Sequence, residues 1–414
     1  MRFLHLADLH FGKSIHGVSM LENGDQPFWV ERFLELVKDV VPDAVLIAGD
    51  VYDRAMPSGE AVRLLSRLLT ALCEMHIPVL ITAGNHDSVQ RLSFAGDILA
   101  RQQLYISAPL SDAPALTHVT LRDEHGPVTF WLMPYVFPAL VQDALGDDTP
   151  RDYDGAVRQL LAAQELDTAG RNVLVAHQNV TQSGVEVERG GSETMVGGVG
   201  QVDYTAFDGF DYVALGHIHS AYPVGRKTVR YAGSPLCYHF EETRQPEKGP
   251  LLITLGAKGS QPEIRVLPIP PLHPMREVKG AYEDIRAGEL AHEKRGEYLR
   301  FVLTDRRISP EVSAFLHELA EKRGSVLMEL TSEYSRSYAD AALTDSKALE
   351  EKPVEELFTG FYTERNNGRE PDEQDLALLA FAAEQVRHTD THGKVDPAQV
   401  ERLLQHLLKQ EEKA

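Results

Sequence analysis

Cysteine is almost absent from this sequence: Cys73 and Cys237 are its only two. Each lies in an apolar stretch, so the chain has no disulfide framework and no thiolate pair at metal-ligand spacing. Long hydrophobic runs are missing too, and none approaches the roughly 20 apolar residues needed to cross a bilayer. The opening MRFLHLADLH turns polar almost at once and lacks the apolar region of a secretion signal, so the expected location is the cytoplasm. Positive charge is scarce: 41 Lys and Arg stand against 62 Asp and Glu, a formal net charge of −21. Nucleic-acid binding normally uses a basic surface, so such a role here needs a local basic face, bound divalent metal or a partner that supplies positive charge.

What the chain does have is the balance of a soluble globular protein, with 43% hydrophobic and 25% charged residues. Its 414 residues are too many for one ordinary core and suggest two or three folding units. RFLHLAD (2–8) reads as a strand, and residues 28–41 place Val30, Phe33, Leu34, Val37 and Val41 at helical spacing. AVLIAGD (44–50) is a second strand. Ser58 can cap a second helix with the stripe Val62, Leu65, Leu69 and Leu72, and PVLITAGN (78–85) is a third strand. This strand–helix alternation predicts an α/β fold with a parallel sheet covered by helices. Further strand-like runs follow at 128–136, 172–179 and 212–217, with a helix expected near 153–166. Short strands at 229–234, 251–256 and 263–269 then suggest an antiparallel edge or a second sheet.

PIPPLHPM (268–275) holds four prolines in eight residues and marks a boundary. Strand-like 298–305, a helical stretch at 309–323 and strand-like 325–331 beyond it read as a small α+β domain. The expected division is therefore 1–270, 271–345 and a polar linker with helices over 346–414. Of the two closing amphipathic helices, one carries Leu376, Leu379, Ala383 and Val386. The other starts at Asp396 and Pro397 and carries Val400, Leu403, Leu404, Leu407 and Leu408. Such stripes bury themselves either on a partner or on the body of the protein.

The chemistry sits where the strands end. The first ends in Asp8 and His10, the second in Gly49-Asp50, the third in Gly84-Asn85-His86-Asp87; a later one ends in His177 and the last in Gly216-His217-x-His219. In extended chain, residues two apart point the same way, so Asp8 with His10, and His217 with His219, could each face one cation. Open α/β sheets gather ligands at the carboxyl ends of their strands, which predicts one shared site. Taken singly these groups are ordinary: a turn Asp, a buried His, a surface H-x-H. Asp8, His10, Asp50, Asn85, His177, His217 and His219 are together too many for one tetrahedral ion, and a bridging carboxylate would give each of two ions about four protein ligands. Mixed oxygen and imidazole donors suit manganese, iron or zinc better than calcium or magnesium. Paired cations can activate water and clamp a phosphoryl group, so phosphoester hydrolysis is the natural reaction.

These motifs resemble the calcineurin-like metallophosphoesterase signature. HLADLHFGK, AGDVYD, AGNHDS, FDYVALGHIH and VRYAGSPLCYHFEE are similar to the bacterial double-strand-break repair nucleases of that superfamily, over residues 1 to about 270. Leu9 stands where many relatives carry tryptophan, and the loop RGGSETMVGG (189–198) is a looser match. The resemblance implies a metallophosphoesterase β-sandwich flanked by helices, with Asp8, His10 and His219 holding one metal, Asn85, His177 and His217 the second, and Asp50 shared. His86 would then be a catalytic non-ligand acting on the scissile phosphate and its leaving oxygen, with Asp87 orienting its imidazole. It further implies manganese-dependent exonuclease and endonuclease activity on DNA. The nuclease would be a homodimer assembled with an SMC-like ATPase, the 271–345 domain a cap over the substrate and the terminal helices the dock for that ATPase. A small-molecule or cyclic-nucleotide phosphoesterase with the same site, and a metal-poor scaffold of the same fold, are the alternatives.

Overall fold

The computed structural model describes residues 1–110, 115–146, 150–182, 200–244 and 247–334, together with Thr359, Tyr362, Pro371 and Leu376. The chain divides into two units, Met1–Ser332 and Glu333–Ala414. The first carries everything that follows. The loop at 189–198 and, apart from Leu376, the helices expected at 376–386 and 396–408 lie outside the described residues.

Two six-stranded sheets form the body. One runs in the order Glu263–Val266, Leu251–Thr254, Arg2–Leu6, Ala44–Ala48, Val79–Thr82, Leu104–Ile106; its last four strands are parallel and its first two are antiparallel additions. The other runs Pro223–Val224, Arg226–Tyr231, Tyr212–Gly216, Arg171–His177, Gly126–Met133, Thr117–Asp123, with a parallel centre and antiparallel edges. The strand expected at 229–234 is thus Arg226–Tyr231 and joins the second sheet in parallel, whereas 251–254 and 263–266 form the antiparallel edge of the first.

The sheets pack face to face. Phe3, Leu46 and Leu80 of one meet Phe130, Val173, Val175, Tyr212 and Ala214 of the other in a shared core. The outer face of the first sheet presents Leu4, Leu6, Val45 and Ile47 to the helices Asp25–Val40 and Gly59–Glu74. The outer face of the second presents Leu174, Val213 and Leu215 to Tyr153–Ala162. Central strands buried on both faces have no polar alternation, which is why they read as unbroken apolar runs. The anticipated β-sandwich flanked by helices is the fold observed.

The second helix differs from its expected stripe. Its buried face is Ala61, Leu64, Leu65, Leu68 and Leu72, while Val62 is 45% exposed. Leucines at both 64 and 65 and at 68 and 69 let the periodicity be read one position out of phase, and packing against the sheet decides the phase. Val41, taken as the end of the first stripe, instead ends that helix in a left-handed conformation and is exposed.

Beyond the proline-rich segment, Met275–Gly280, Tyr298–Leu303 and Val326–Ser332 form a parallel three-stranded sheet. Helices Tyr282–Ala291 and Pro310–Glu321 cover it over a core containing Ile285, Leu299, Phe301 and Leu316. MREVKG is a half-exposed edge strand with few apolar residues, so sequence periodicity does not reveal it. This layer joins the sandwich through Tyr298, whose hydroxyl donates to Asp25 Oδ2 at 2.5 Å, and through His273, whose Nδ1 lies 3.0 Å from Asp25 Oδ1.

At the end of the sandwich remote from the predicted ligands, Arg171 pins the sheets together. Its guanidinium donates to both Asp123 carboxylate oxygens, at 2.5 and 3.0 Å, and to the carbonyls of Gly126 and Gly256. The hydrogen bonds from Arg171 hold Asp123 well below the usual carboxylate range, against a smaller opposing effect of burial. A depressed carboxylate stabilises the fold above its unfolded pKa near 4 and loses that contribution as pH falls. Arg171→Met should therefore cost about 3 kcal/mol at pH 7 in urea unfolding, with the gap from wild type narrowing below about pH 4. An unchanged midpoint at pH 7 would contradict this role.

Candidate metal centre

All the predicted site residues meet at one end of the sandwich. Asp8 and Asp50 are 0% and 3% exposed, and among the described residues neither carboxylate has a Lys or Arg partner. What surrounds them is imidazole. Asp50 Oδ2 lies 3.4 Å from His177 Nε2, 3.6 Å from His10 Nε2 and 4.0 Å from His86 Nε2, and Asp8 Oδ1 lies 3.9 Å from His177 Nδ1. His10 Nε2 and His219 Nε2 are 3.1 Å apart. Asn85 Oδ1 is approached by His177 Nε2 at 3.1 Å and His217 Nδ1 at 3.2 Å. Three overlapping sets have donor atoms within 4.8 Å of one another: Asp8, His10 and His219; Asp8, Asp50 and His177; and His10, Asp50 and His86. His217 comes in through Asn85 and by donating its backbone N–H to Asp8.

The backbone reaches this arrangement by a route that extended strand ends do not provide. Asp8, His10, Asp50 and His217 are not extended: their φ values are 53°, 44°, 47° and 104°. Residues other than glycine at positive φ cost about 1–3 kcal/mol each and persist only where the surroundings impose them. Here the surroundings are explicit. Asp8 N donates to Gly49 O and His10 N to Asp50 O, lacing the first two strand ends together. Gln26 donates to His10 O at 2.7 Å and accepts from Gly12 N, and the Tyr238 hydroxyl donates to Leu9 O.

Close packing explains two of the glycines that precede the candidate ligands. Gly49 has φ 80°, and a Cβ there would fall on the His177 ring. A Cβ at Gly84 would fall on the Asp50 carboxylate and amide.

Hydrogen bonds also fix which nitrogens face inward. A carbonyl or carboxylate only accepts, so His177 Nδ1 carries hydrogen toward Ala48 O at 2.8 Å, and His219 Nδ1 toward Glu242 Oε1 at 3.1 Å. Their Nε2 atoms are left facing the cluster, where they could hold a cation. His86 Nδ1 donates to Asp53 O at 2.8 Å, with the side chain 40% exposed. Asp87, expected to orient that ring, does something else. Its carboxylate turns back to accept from the backbone amides of Val51, Tyr52 and Gly84, because these three donors converge on the turn it occupies. Asp53, through its carbonyl, is the orienter of His86. Asp53, Glu242, Gln26 and Tyr238 were not anticipated; Glu242 and Tyr238 lie within the YHFEE run, but no local pattern marks either as a partner of a strand-end histidine.

The charge balance of the cluster is unusual. Burial lifts Asp8 to about 6, although His177 and His219 pull the other way. Burial also acts upward on Asp50, yet His177, His10 and His86 outweigh it and hold the group well below the usual carboxylate range. Burial acts downward on His177, but the Asp50 carboxylate overcomes it and pushes the group up to about 9. His10 stays well below its ordinary value because burial prevails there. Divalent cations bound here would displace these protons.

Residues 1–221 match the family model described as calcineurin-like phosphoesterase. The chain is also 33% identical over 306 residues to the SbcD subunit of nuclease SbcCD from Staphylococcus saprophyticus subsp. saprophyticus, covering 73% of this chain and 78% of that protein. The chain is a calcineurin-like phosphoesterase of the SbcD family. A second family model, described as type 5 capsule protein repressor C-terminal domain, matches residues 271–366. Among solved structures, the protein TT1561 of Thermus thermophilus aligns at 11% identity and a TM-score of 0.36, over 64% of this chain and 98% of that one.

The donor set fits the divalent metal that such phosphoesterases use. Two buried carboxylates without a Lys or Arg partner among the described residues, and imidazole nitrogens turned toward each other at 3.1 Å, suit cations better than hydrogen bonds among themselves. Gly84→Ala should displace Asp50 and weaken manganese binding at least tenfold in calorimetric titration, as changes behind metal ligands commonly do. Unchanged affinity would contradict the role given to this close approach.

Proposed function

We propose that this chain is the nuclease component of an SbcCD-type complex, cleaving DNA phosphodiesters as a double-strand exonuclease and as an endonuclease on hairpin and single-stranded DNA. The observation that carries the reading is the convergence of Asp8, His10, Asp50, Asn85, His177, His217 and His219 around buried carboxylates that have no Lys or Arg partner among the described residues, in a chain of the SbcD family. Asp8, His10 and His219 would hold one cation and Asn85, His177 and His217 the other, with Asp50 shared. The pair, manganese in our reading, supplies positive charge at the phosphoryl group and a nucleophile at neutral pH.

The protein's own groups supply the rest. His86 stands at the open edge of the cluster with Nδ1 tied to Asp53 O, so Nε2 is the nitrogen free to hand a proton to the leaving oxygen. Asp87 holds the loop that carries Asn85 and His86. With a net charge of −21, the chain needs help to hold DNA, and an SMC-like ATPase, SbcC, is the proposed source. The helices of 346–414 would dock on that ATPase, and residues 271–345 would cap the substrate. Within that complex the chain would act as a homodimer. Among the described residues no helix is long and apolar enough to cross a membrane, and a cytoplasmic location accords with a DNA substrate.

The test is cleavage of an end-labelled duplex or hairpin DNA with manganese, comparing wild type, His86→Ala and a chelator control. His86→Ala should lose about 10²-fold or more in rate with its metal content unchanged, and the chelator should abolish cleavage. Full activity in His86→Ala would contradict its role. Hydrolysis of small phosphodiesters with no DNA cleavage, even with the ATPase partner added, would contradict the nuclease reading and favour a small-molecule phosphoesterase.

A further inference from the structure

We infer that Glu242, clamped by Lys248, is a positioning residue for His219 and makes the Asp8–His10–His219 position the tighter of the two cation sites. This rests on the two-cation reading above. Glu242 is 2% exposed on the short turn Phe240–Arg244. Its Oε1 accepts from His219 Nδ1 at 3.1 Å. Its Oε2 accepts from Lys248 Nζ at 2.8 Å, Ser234 Oγ at 3.1 Å and the backbone N–H of Tyr238 at 3.2 Å. Lys248 Nζ also donates to Ser234 Oγ at 2.7 Å and to the His219 carbonyl at 2.9 Å, so the ammonium grips both the carboxylate and the backbone of the histidine that the carboxylate orients.

A buried ion pair is a weak way to stabilise a fold, because desolvation offsets most of its attraction. Its placement here does something a hydrophobic pair could not. The carboxylate only accepts, so it keeps the hydrogen of His219 on Nδ1 and leaves Nε2 to present its lone pair, 3.1 Å from His10 Nε2. An anionic partner also makes an imidazole a stronger metal donor than a neutral one does. The corresponding histidine of the other cluster, His177, gives its Nδ1 hydrogen to the neutral Ala48 carbonyl at 2.8 Å, with the Asp8 carboxylate farther off at 3.9 Å. The two positions share Asp50 but differ in what accepts the Nδ1 hydrogen, a carboxylate for His219 and a carbonyl for His177, and the site backed by Glu242 binds first.

Manganese titrated calorimetrically into the metal-free full-length chain tests this. Wild type should bind two ions in two steps, and His219→Ala should lose the tighter one. Glu242→Gln keeps the shape and removes the charge; it should weaken the tighter step ten- to a hundredfold and leave the weaker step within about twofold. Glu242→Gln/Lys248→Met removes both charges, leaves no buried unpaired ammonium, and should give the same selective loss with a melting temperature close to wild type. Two unchanged steps in both variants would overturn the inference. So would a loss confined to the step that Asn85→Ala removes, or an equal weakening of both steps, which is the signature of a merely structural residue. Failure of wild type to take up manganese at all would instead remove the two-cation reading beneath it.

Discussion

Two carboxylates, Asp8 and Asp50, are buried side by side with no Lys or Arg beside them among the described residues, and much of this structure is organised around that fact. Negative charge in a dry interior is costly unless it is paired. The pairing available is a ring of histidines, which can share protons with the carboxylates or give way to cations. Burial and mutual attraction therefore push neighbouring groups in opposite directions: Asp8 and His177 upward, Asp50 and His10 downward. Groups with such divergent proton affinities, gathered at one end of a sandwich, form a site built for charge chemistry.

The sandwich makes the gathering possible. Parallel central strands in both sheets deliver five carboxyl-terminal ends to one edge, and the loops leaving them are short enough to be laced by backbone hydrogen bonds such as Asp8 N to Gly49 O and His10 N to Asp50 O. The cost appears as positive φ at Asp8, His10, Asp50 and His217, and as glycines where any side chain would collide with a neighbouring ligand. Behind the ligands, Gln26, Tyr238 and Asp87 hold this strained backbone, while Asp53 and Glu242 set the hydrogen positions on the imidazoles. Strain and support answer the same requirement, that the donors be in place before a cation arrives.

Much of this was legible in the sequence because it is written locally. Strand-terminal Asp8, Asp50, Asn85, His177 and His217 follow apolar runs directly, and strands buried on both faces have no competing reading. The parts that were not legible depend on contacts distant along the chain. Leu64 and Leu68, rather than Val62 and Leu69, face the core because the sheet beneath selects the helix phase. The edge strand MREVKG is half solvated and shows no alternation strong enough to find. The resemblance assigns Asp87 to orienting His86, whereas its carboxylate serves amides that the fold brings from residues 51 and 52. Glu242 reaches His219 across 23 residues of chain, a pairing that no spacing rule encodes.

The most direct test of the account is anomalous diffraction at the manganese edge from crystals of the chain grown with manganese. Two peaks about 3.5–4 Å apart are predicted, with Asp50 between them, Asp8, His10 and His219 around one and Asn85, His177 and His217 around the other. A single peak, or a pair that Asp50 does not bridge, would contradict the claim that these buried carboxylates exist to hold two cations.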